Sequence, residues 1–118
     1  MTTSFADYVS EQDAKNTIQL NVTKWCLMLC DALKDAGPDD YDYIIESGTK
    51  YHKIIMIDNS VRKNRSIHAF VDKKTGEVYK PATWKSPAKH VRYDLRLIKD
   101  REWLFENADW AGSYLYMK

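Results

Sequence analysis

The 118-residue sequence has little glycine, proline and cysteine: four, three and two residues, respectively. It contains no G-x-G-x-x-G and no G-x-x-x-x-G-K-[ST] motif, which excludes a phosphate-binding loop built from glycine-rich backbone. It also lacks the G-x-S-x-G and H-E-x-x-H motifs of hydrolases and metalloproteases. We therefore expect a protein that is not an enzyme and carries no cofactor.

The two cysteines, Cys26 and Cys30, lie one helical turn apart. This spacing gives poor disulfide geometry and would close almost no loop, so we expect reduced, buried thiols in a cytoplasmic protein. The alternative is a metal site that also uses histidines. A single cysteine pair without a second cluster is a weak metal pattern, so we expect none. The candidate histidines for such a site are His52, His68 and His90.

Long apolar runs are also missing. No stretch approaches 18 apolar residues and no basic segment precedes a hydrophobic one, so neither a membrane span nor a secretory signal is predicted. Apolar residues make up 44% of the chain and charged residues 30%, which is typical of one globular domain over residues 1–118.

The net charge of +1 conceals a strong asymmetry. Residues 1–49 carry three basic and nine acidic side chains, and residues 102–118 carry one and three. Between them, residues 50–101 carry fourteen basic and five acidic side chains, a net charge of +9. This pattern indicates either an anionic partner for the middle of the chain or neutralisation of that middle by the acidic ends.

Hydrophobic periodicity predicts a long helix over residues 11–36, with Ser10 as its N-cap and Gly37-Pro38 as its stop. Residues 1–9 are predicted to be a loose lead-in. The main apolar stripe of the helix comprises Ile18, Val22, Trp25, Leu29 and Leu33.

Three apolar residues of the predicted helix, Leu20, Leu27 and Met28, fall off this stripe. A second apolar face on one helix needs a second partner, and the chain is also rich in aromatic residues, at 13%. We therefore expect a homodimer or a higher homo-oligomer.

Four short strands are predicted after the helix, over residues 41–48, 51–58, 66–72 and 77–80. Gly76 supplies the positive φ of a tight hairpin turn between the last two. The predicted fold class is α+β: a long N-terminal helix packed on a four-stranded antiparallel meander, with an aromatic-rich C-terminal extension.

The remainder of the chain is predicted as short elements. Ser86-Pro87 is expected to open about one helical turn through Lys89. Residues 92–98 are expected to form a strand or an extended arm, residues 100–109 a helix, and residues 113–118 a strand-like end.

His68 interrupts an apolar strand. Strict alternation puts Ile67, Ala69 and Val71 on the core face and turns His68 and Phe70 together to the opposite face. Beside a carboxylate such as Asp58 or Asp72, this histidine would be a general base; otherwise it is a hydrogen-bonded, half-buried residue.

The strongest functional signal is a block in which cations alternate with rings, between Ser66 and Arg96. Lysine and arginine bind phosphates without glycine, and rings stack on bases. Trp84 lies between Pro81 and Pro87, which favours a stiff recognition loop; the alternative is that Trp84 fills the end of the core. The predicted ligand-binding residues are His68, Phe70, Lys73, Tyr79, Trp84, Lys85, Lys89 and Arg92.

Part of this block resembles the shared core of a family of small, mostly uncharacterised proteins of tailed bacteriophages. The matching positions are Phe70-Val71-Asp72, Thr75-Gly76, Val78-Tyr79-Lys80 and Trp84-Lys85-Ser86-Pro87-Ala88-Lys89. The stretch that contains them, residues 66–93, covers about a quarter of the chain. The resemblance implies a phage origin and a protein that acts in the cytoplasm of an infected bacterial cell. The resemblance does not indicate an enzymatic activity.

Three functions fit these observations. The first is binding of a nucleotide or another phosphate-bearing small molecule, for example sequestration of a cyclic nucleotide signal that triggers host defence. The second is binding of RNA or single-stranded DNA by the basic middle segment, with an affinity that falls steeply with salt. The third is inhibition of a host enzyme through C-terminal rings, which would otherwise close the core. Those rings are Trp103, Phe105, Trp110, Tyr114 and Tyr116.

Overall fold

The structure, a computed structural model, describes residues 4–116, apart from the side chains of Asp7 and Tyr8. It contains two α-helices, a five-stranded sheet and a short 3-10 helix. In chain order these are α1 (Phe5–Ala36), β1 (Tyr41–Ser47), β2 (Tyr51–Asp58), β3 (Asn64–Asp72), β4 (Glu77–Pro81), β5 (Pro87–Asp94), α2 (Ile98–Asn107) and the 3-10 helix (Ser113–Tyr116).

Helix α1 begins at Phe5, so the predicted N-cap at Ser10 and the predicted loose lead-in are wrong over residues 5–10; residues 1–3 lie outside the described residues. No glycine or proline interrupts residues 5–36, and the residues before Lys15 include good helix formers, so nothing stops the helix from extending toward the N-terminus. Its predicted end is confirmed at Ala36, before Gly37-Pro38. The ammonium group of Lys34 donates to the carbonyl oxygens of Asp39 at 2.7 Å and Tyr41 at 2.8 Å, which fixes the exit toward β1.

Only the C-terminal half of α1 packs on the sheet. Val22, Leu29 and Leu33 of the predicted stripe are buried and Trp25 is half-buried, whereas Ile18 is exposed. The first half of the helix extends beyond the sheet, since side chains from Phe5 to Leu20 are exposed where they are described, with Gln12 half-buried. A helix of 32 residues is about 48 Å long, and the molecule measures 56 × 29 × 25 Å.

The sheet is an antiparallel meander with the strand order β1-β2-β3-β4-β5. Its first four strands lie close to the predicted ranges. The fifth, β5, includes Lys89, where a helical turn was predicted, and that prediction is wrong. Pro87 lies opposite Pro81 at the irregular end of the β4–β5 ladder. Since proline has no N–H to donate, both prolines are tolerated at this strand end, and the chain continues in the extended conformation.

A β-bulge in β3 changes the direction of His68. Ile54 pairs with Ala69 and Ile55 pairs with Ile67, so His68 is the extra residue of the bulge. The strict alternation predicted for this strand is therefore wrong at His68, and also at Ile67, which pairs with Ile55 and so lies on the face opposite to Ala69 and Val71. The His68 side chain lies on the same side of the sheet as α1, and it contacts Tyr43 and Tyr114. Phe70 lies on the opposite face, as predicted.

The C-terminal segment closes the helical side of the core. Helix α2 confirms the predicted helical piece, and its Trp103 stacks on Tyr93 at 5.2 Å between ring centroids. The final segment is a 3-10 helix rather than a strand; residues 117–118 lie outside the described residues. Tyr114 is buried in the core, whereas Trp110 and Tyr116 are exposed. None of the helices in residues 4–116 is both long and apolar enough to cross a membrane.

Candidate ligand-binding face

One face of the sheet carries the helices, and the other, which we call the open face, does not. Ile54 of β2, Val71 of β3 and Val78 of β4 are buried under the helices. The residues that alternate with them along each strand therefore lie on the open face. Rings and cations come together on it from β2, β3, β4 and the loop after β4. Its central residues, which we call the ring–cation cluster, are Tyr51, Lys53, Arg65, Phe70, Tyr79 and Trp84.

Three rings form the centre of the cluster. Tyr51 makes edge-to-face contacts with Phe70 at 5.7 Å and with Tyr79 at 5.9 Å between centroids. Phe70 is opposite Tyr79 in the β3–β4 register, so the sheet itself sets this spacing. Phe70 is only 1% exposed, which leaves its ring no free face for a ligand. Tyr51 and Tyr79 are half-buried and form the accessible part of the group.

Two cations lie beside Trp84. The Lys53 ammonium is 5.5 Å from the centroid of the Trp84 ring and 5.9 Å from that of Phe70. The Arg65 guanidinium is 5.9 Å from the Trp84 centroid and also bonds Glu46 at 3.0 Å. Cation–ring contacts at these distances are attractive. Trp84 remains 41% exposed, so it lies on the sheet surface and does not fill the end of the core.

The loop that carries Trp84 is held by its own hydrogen bonds. The Thr83 hydroxyl oxygen accepts from the backbone N–H of Lys85 at 3.2 Å and of Ser86 at 3.1 Å. The backbone N–H groups of Ala82 and Thr83 both donate to the Ser86 carbonyl at 3.1 Å. This turn presents Trp84 and Lys85 at its tip in a fixed geometry, which lowers the entropy cost of binding there.

The structure separates the eight predicted ligand-binding residues into groups. Phe70, Tyr79 and Trp84 come together on the open face, and Lys85 is exposed at the tip of the adjoining loop. The Lys73 ammonium instead donates to the Gly48 carbonyl at 3.0 Å, which ties two turns together. Lys89 is exposed on β5 and Arg92 is half-buried on it.

His68 does not belong to the open face. It is buried, and its Nε2 lies 2.7 Å from the Tyr114 hydroxyl, so its partner is a phenol and not Asp58 or Asp72. Burial lowers its pKa to about 4, which keeps the ring neutral near pH 7. The prediction that His68 and Phe70 lie on the same face is therefore wrong.

Lys53 and Arg65 were missed by the sequence interpretation, although they complete the cluster. Lys53 pairs directly with Phe70 across the β2–β3 ladder, and Arg65 lies opposite Ile57 near the start of β3. The signal was available in β2, where Tyr51 and Lys53 alternate with His52 and Ile54. The register of the hairpin then brings them beside the predicted rings.

The metal alternative has no geometric support among residues 4–116, where no three His, Cys, Asp or Glu side chains form a group that would hold an ion. Cys26 and Cys30 are buried, and burial raises the pKa of both thiols to about 12. Thiols in this state are inert because the reactive form is the thiolate. The Nδ1 atom of His52 instead lies 2.7 Å from the Ser47 hydroxyl oxygen, and burial lowers the pKa of His52.

A family of unknown function, DUF7717, matches residues 5–117. The chain belongs to this family. The match covers the helix, all five strands and the C-terminal segment, so the open face and the segment after it are part of the family's domain. Comparison with curated proteins and with solved structures gave no significant match.

Proposed function

We propose that the protein binds single-stranded nucleic acid on the open face of its sheet. The observation that carries this proposal is the exposed Trp84 ring with two cations, Lys53 and Arg65, within 6 Å of its centroid. A base stacks on the ring, and its phosphates contact the cations. Stacking of this kind is tolerant of sequence because every base has a π-face.

The shape of the surface favours a polymer over a single nucleotide. Tyr51, Tyr79 and Trp84 are distributed along an uncovered sheet face, and Lys85 extends the cationic surface beyond Trp84. Several weak stacking and phosphate contacts add up along a strand, whereas one nucleotide reaches only some of them. The net charge of +9 over residues 50–101 supports the same ligand class, because phosphate contacts dominate nucleic-acid affinity.

The resemblance to tailed-phage proteins supports a setting for this activity in the cytoplasm of an infected bacterium. There the protein occupies single-stranded RNA or DNA without modifying it. Sequestration of a nucleotide signal is the small-ligand form of the same chemistry, and it differs in one measurable way: a free nucleotide competes with an oligonucleotide at comparable concentration.

The test is fluorescence anisotropy with labelled single-stranded DNA and RNA of several lengths, alongside a duplex of the same sequence. We expect single strands to bind more tightly than the duplex. Three phosphate contacts to Lys53, Arg65 and Lys85 give a slope of about −2 in log affinity against log salt, or about a 20-fold loss between 50 and 200 mM.

Trp84→Ala is the diagnostic variant. It should weaken oligonucleotide binding by about 5- to 150-fold, because one base–ring stack is worth about 1–3 kcal/mol. Trp110→Ala is the matched control: Trp110 is 45% exposed, close to the 41% of Trp84, but it contacts Tyr41 away from the open face. Equal affinities of the two folded variants, or binding that does not change with salt, would refute the proposal.

A further inference from the structure

A second surface, separate from the open face, has the form of a small-molecule site. Strands β3 and β4 pair only at Phe70–Tyr79 and Val71–Val78. Beyond these pairs the strands have no common register, because β3 contains the bulge at His68 and β4 continues toward Pro81. A cleft of about 280 Å³ lies where they diverge.

The walls of this cleft come from distant parts of the chain. Ser66, Ile67 and His68 of β3 line one side, and Lys80 and Pro81 of β4 line another. The segment after α2, including the 3-10 helix, closes it, and this wall comprises Trp110, Ala111, Gly112, Leu115 and Tyr116. Because these residues are 29 or more positions away from β3 and β4, only the folded chain assembles the cleft.

One positive charge stands in the cleft lining. The Lys80 ammonium lies 4.2 Å from the centroid of the Tyr116 ring. Among residues 4–116, no carboxylate lines the cleft and none forms an ion pair with Lys80. A half-buried ammonium held over a ring, without an acidic partner in the described chain, is suited to an anionic group brought by a ligand.

The rest of the lining is suited to a flat, largely apolar body. Trp110 and Tyr116 are 45% and 65% exposed, so both rings have surface free for contact. Met56 and Leu115 add apolar lining, and Ser66 adds one hydroxyl group. Rings of this kind bury much area at little entropy cost, and a few polar groups in an apolar pocket fix the orientation of a ligand.

We propose that the cleft between β3, β4 and the C-terminal segment binds a small planar molecule with one anionic group, which pairs with Lys80 while its ring lies against Trp110 and Tyr116. The volume of about 280 Å³ is at the lower end of the range for ligand pockets, so a molecule of one ring system and one acid group fits and a dinucleotide does not. Nucleoside monophosphates and aromatic carboxylates share this chemistry. The site is independent of the oligonucleotide proposal.

Isothermal titration calorimetry on the full chain tests it, with four nucleoside monophosphates, benzoate and indole-3-carboxylate as ligands. The uncharged nucleosides are the negative arm. We expect heat from at least one anionic ligand and none from its neutral counterpart. Binding by the phosphates alone would assign the cleft to nucleotides, and binding by the carboxylates alone to aromatic acids; the absence of heat with both classes would overturn the proposal.

Two variants locate the binding. Lys80→Met removes the charge at similar size and should weaken binding about ten-fold or more, because the lost contact is charge-assisted. Ala111→Trp fills the cleft from an exposed position and should abolish binding. Lys85→Met on the Trp84 loop is the control and should bind as the wild type does. If both cleft variants are folded by circular dichroism and keep wild-type affinity, the cleft is not the site.

The two proposals fail separately. Trp84→Ala should lose oligonucleotide affinity and retain the cleft ligand, whereas Trp110→Ala should do the reverse. A variant pair that moves both affinities together would show that one surface serves both ligands, which contradicts the assignment of a separate cleft site.

Discussion

The Nε2 atom of His68 lies 2.7 Å from the phenolic oxygen of Tyr114, 46 positions later in the chain. Both side chains are buried, so each satisfies the polar atom of the other where water does not reach. The Tyr93 hydroxyl, in turn, donates to the Tyr114 carbonyl at 2.6 Å. These two bonds fasten the C-terminal segment to β3 and β5.

Tyr114→Phe should therefore lower the free energy of unfolding by about 1–3 kcal/mol, because it leaves a buried imidazole nitrogen without its partner. Urea denaturation followed by circular dichroism measures this change. Tyr116→Phe is the control and should have little effect, since Tyr116 is 65% exposed and keeps its ring over Lys80. Equal stabilities for the two variants would contradict the role given to the His68–Tyr114 bond.

The free energy of unfolding should also decrease as the pH is lowered, because of His68. Burial lowers its folded-state pKa to about 4, from the ordinary value of about 6.5 in the unfolded chain. Between these values the unfolded state binds more protons, so the contribution is complete above pH 6.5 and is lost as the pH falls toward 4. The pKa of His52 is lowered too, which acts in the same direction.

His68→Gln should flatten the dependence of the free energy of unfolding on pH over this window, measured by urea titrations from pH 7 to pH 4. A slope that is the same for wild type and His68→Gln would show that His68 does not hold this pKa.

The hairpin turn between β2 and β3 stores backbone strain. Arg62 and Lys63 have φ values of 50° and 54°, in the left-handed region, and the Asn64 N–H donates to the Val61 carbonyl at 3.0 Å. The left-handed conformation destabilises a residue that has a Cβ by about 1–2 kcal/mol. Glycine adopts it freely but loses more chain entropy on folding, about 0.5–1 kcal/mol relative to alanine.

Lys63→Gly should therefore raise the free energy of unfolding by up to about 1 kcal/mol. Lys74→Gly, in the β3–β4 turn and without a positive φ, should lower it. Thermal denaturation of the two variants at one salt concentration makes the comparison. Destabilisation by both would mean that the Arg62-Lys63 turn is not strained.

Gly76 has the opposite requirement. Its φ is +76°, and a Cβ there would lie 3.4 Å from side-chain atoms of Leu95 and Val22. Gly76→Ala should cost about 1–2 kcal/mol, because alanine must adopt the left-handed conformation. Gly48→Ala is the matched control: a Cβ at Gly48 meets only the Tyr51 carbonyl, at 3.6 Å. Chemical denaturation should rank Gly76→Ala well below Gly48→Ala, and the reverse order would contradict the requirement at Gly76.

We also expect the protein to form a homodimer or a higher oligomer through α1, since Leu20 and Leu27 are 71% and 54% exposed on it. Size-exclusion chromatography with light scattering should give a multiple of 13.8 kDa. Leu20→Glu combined with Leu27→Glu should shift the mass toward the monomer, whereas Val61→Glu, at an exposed site off the helix, should not. A monomeric wild type at high concentration would refute this prediction.

The sequence was sufficient for the end of α1, the approximate ranges of the first four strands and the meander, because these segments have local hydrophobic periods and Gly37-Pro38, Gly48 and Gly76 mark three of the boundaries between them. It was insufficient for β5, where Ser86-Pro87 has the local signature of a helix start. What makes residues 87–94 a strand is pairing with β4, a contact that no local pattern encodes, and two register shifts blur its alternation.

The same distinction applies to the candidate site. Tyr79 and Trp84 were predicted on the surface because a hairpin and a proline-flanked loop are local structures. His68 was placed on the wrong face, because the bulge that turns it depends on how β3 pairs with β2. The same register places Lys53 and Arg65 beside the rings of the cluster. Lys80 lines the cleft only because residues more than 25 positions later in the chain fold against it.

Helix α1 is long enough that its two halves should differ in how tightly they hold their amide protons. The helix packs on the core after Val22, so amides there should exchange with solvent only when the domain opens as a whole. Amides before Leu20 should exchange faster, because the helix frays from its N-terminal end. The boundary between slow and fast exchange should fall near the point where the helix leaves the sheet. A ligand or second subunit that binds the first half of the helix should move this boundary toward Phe5.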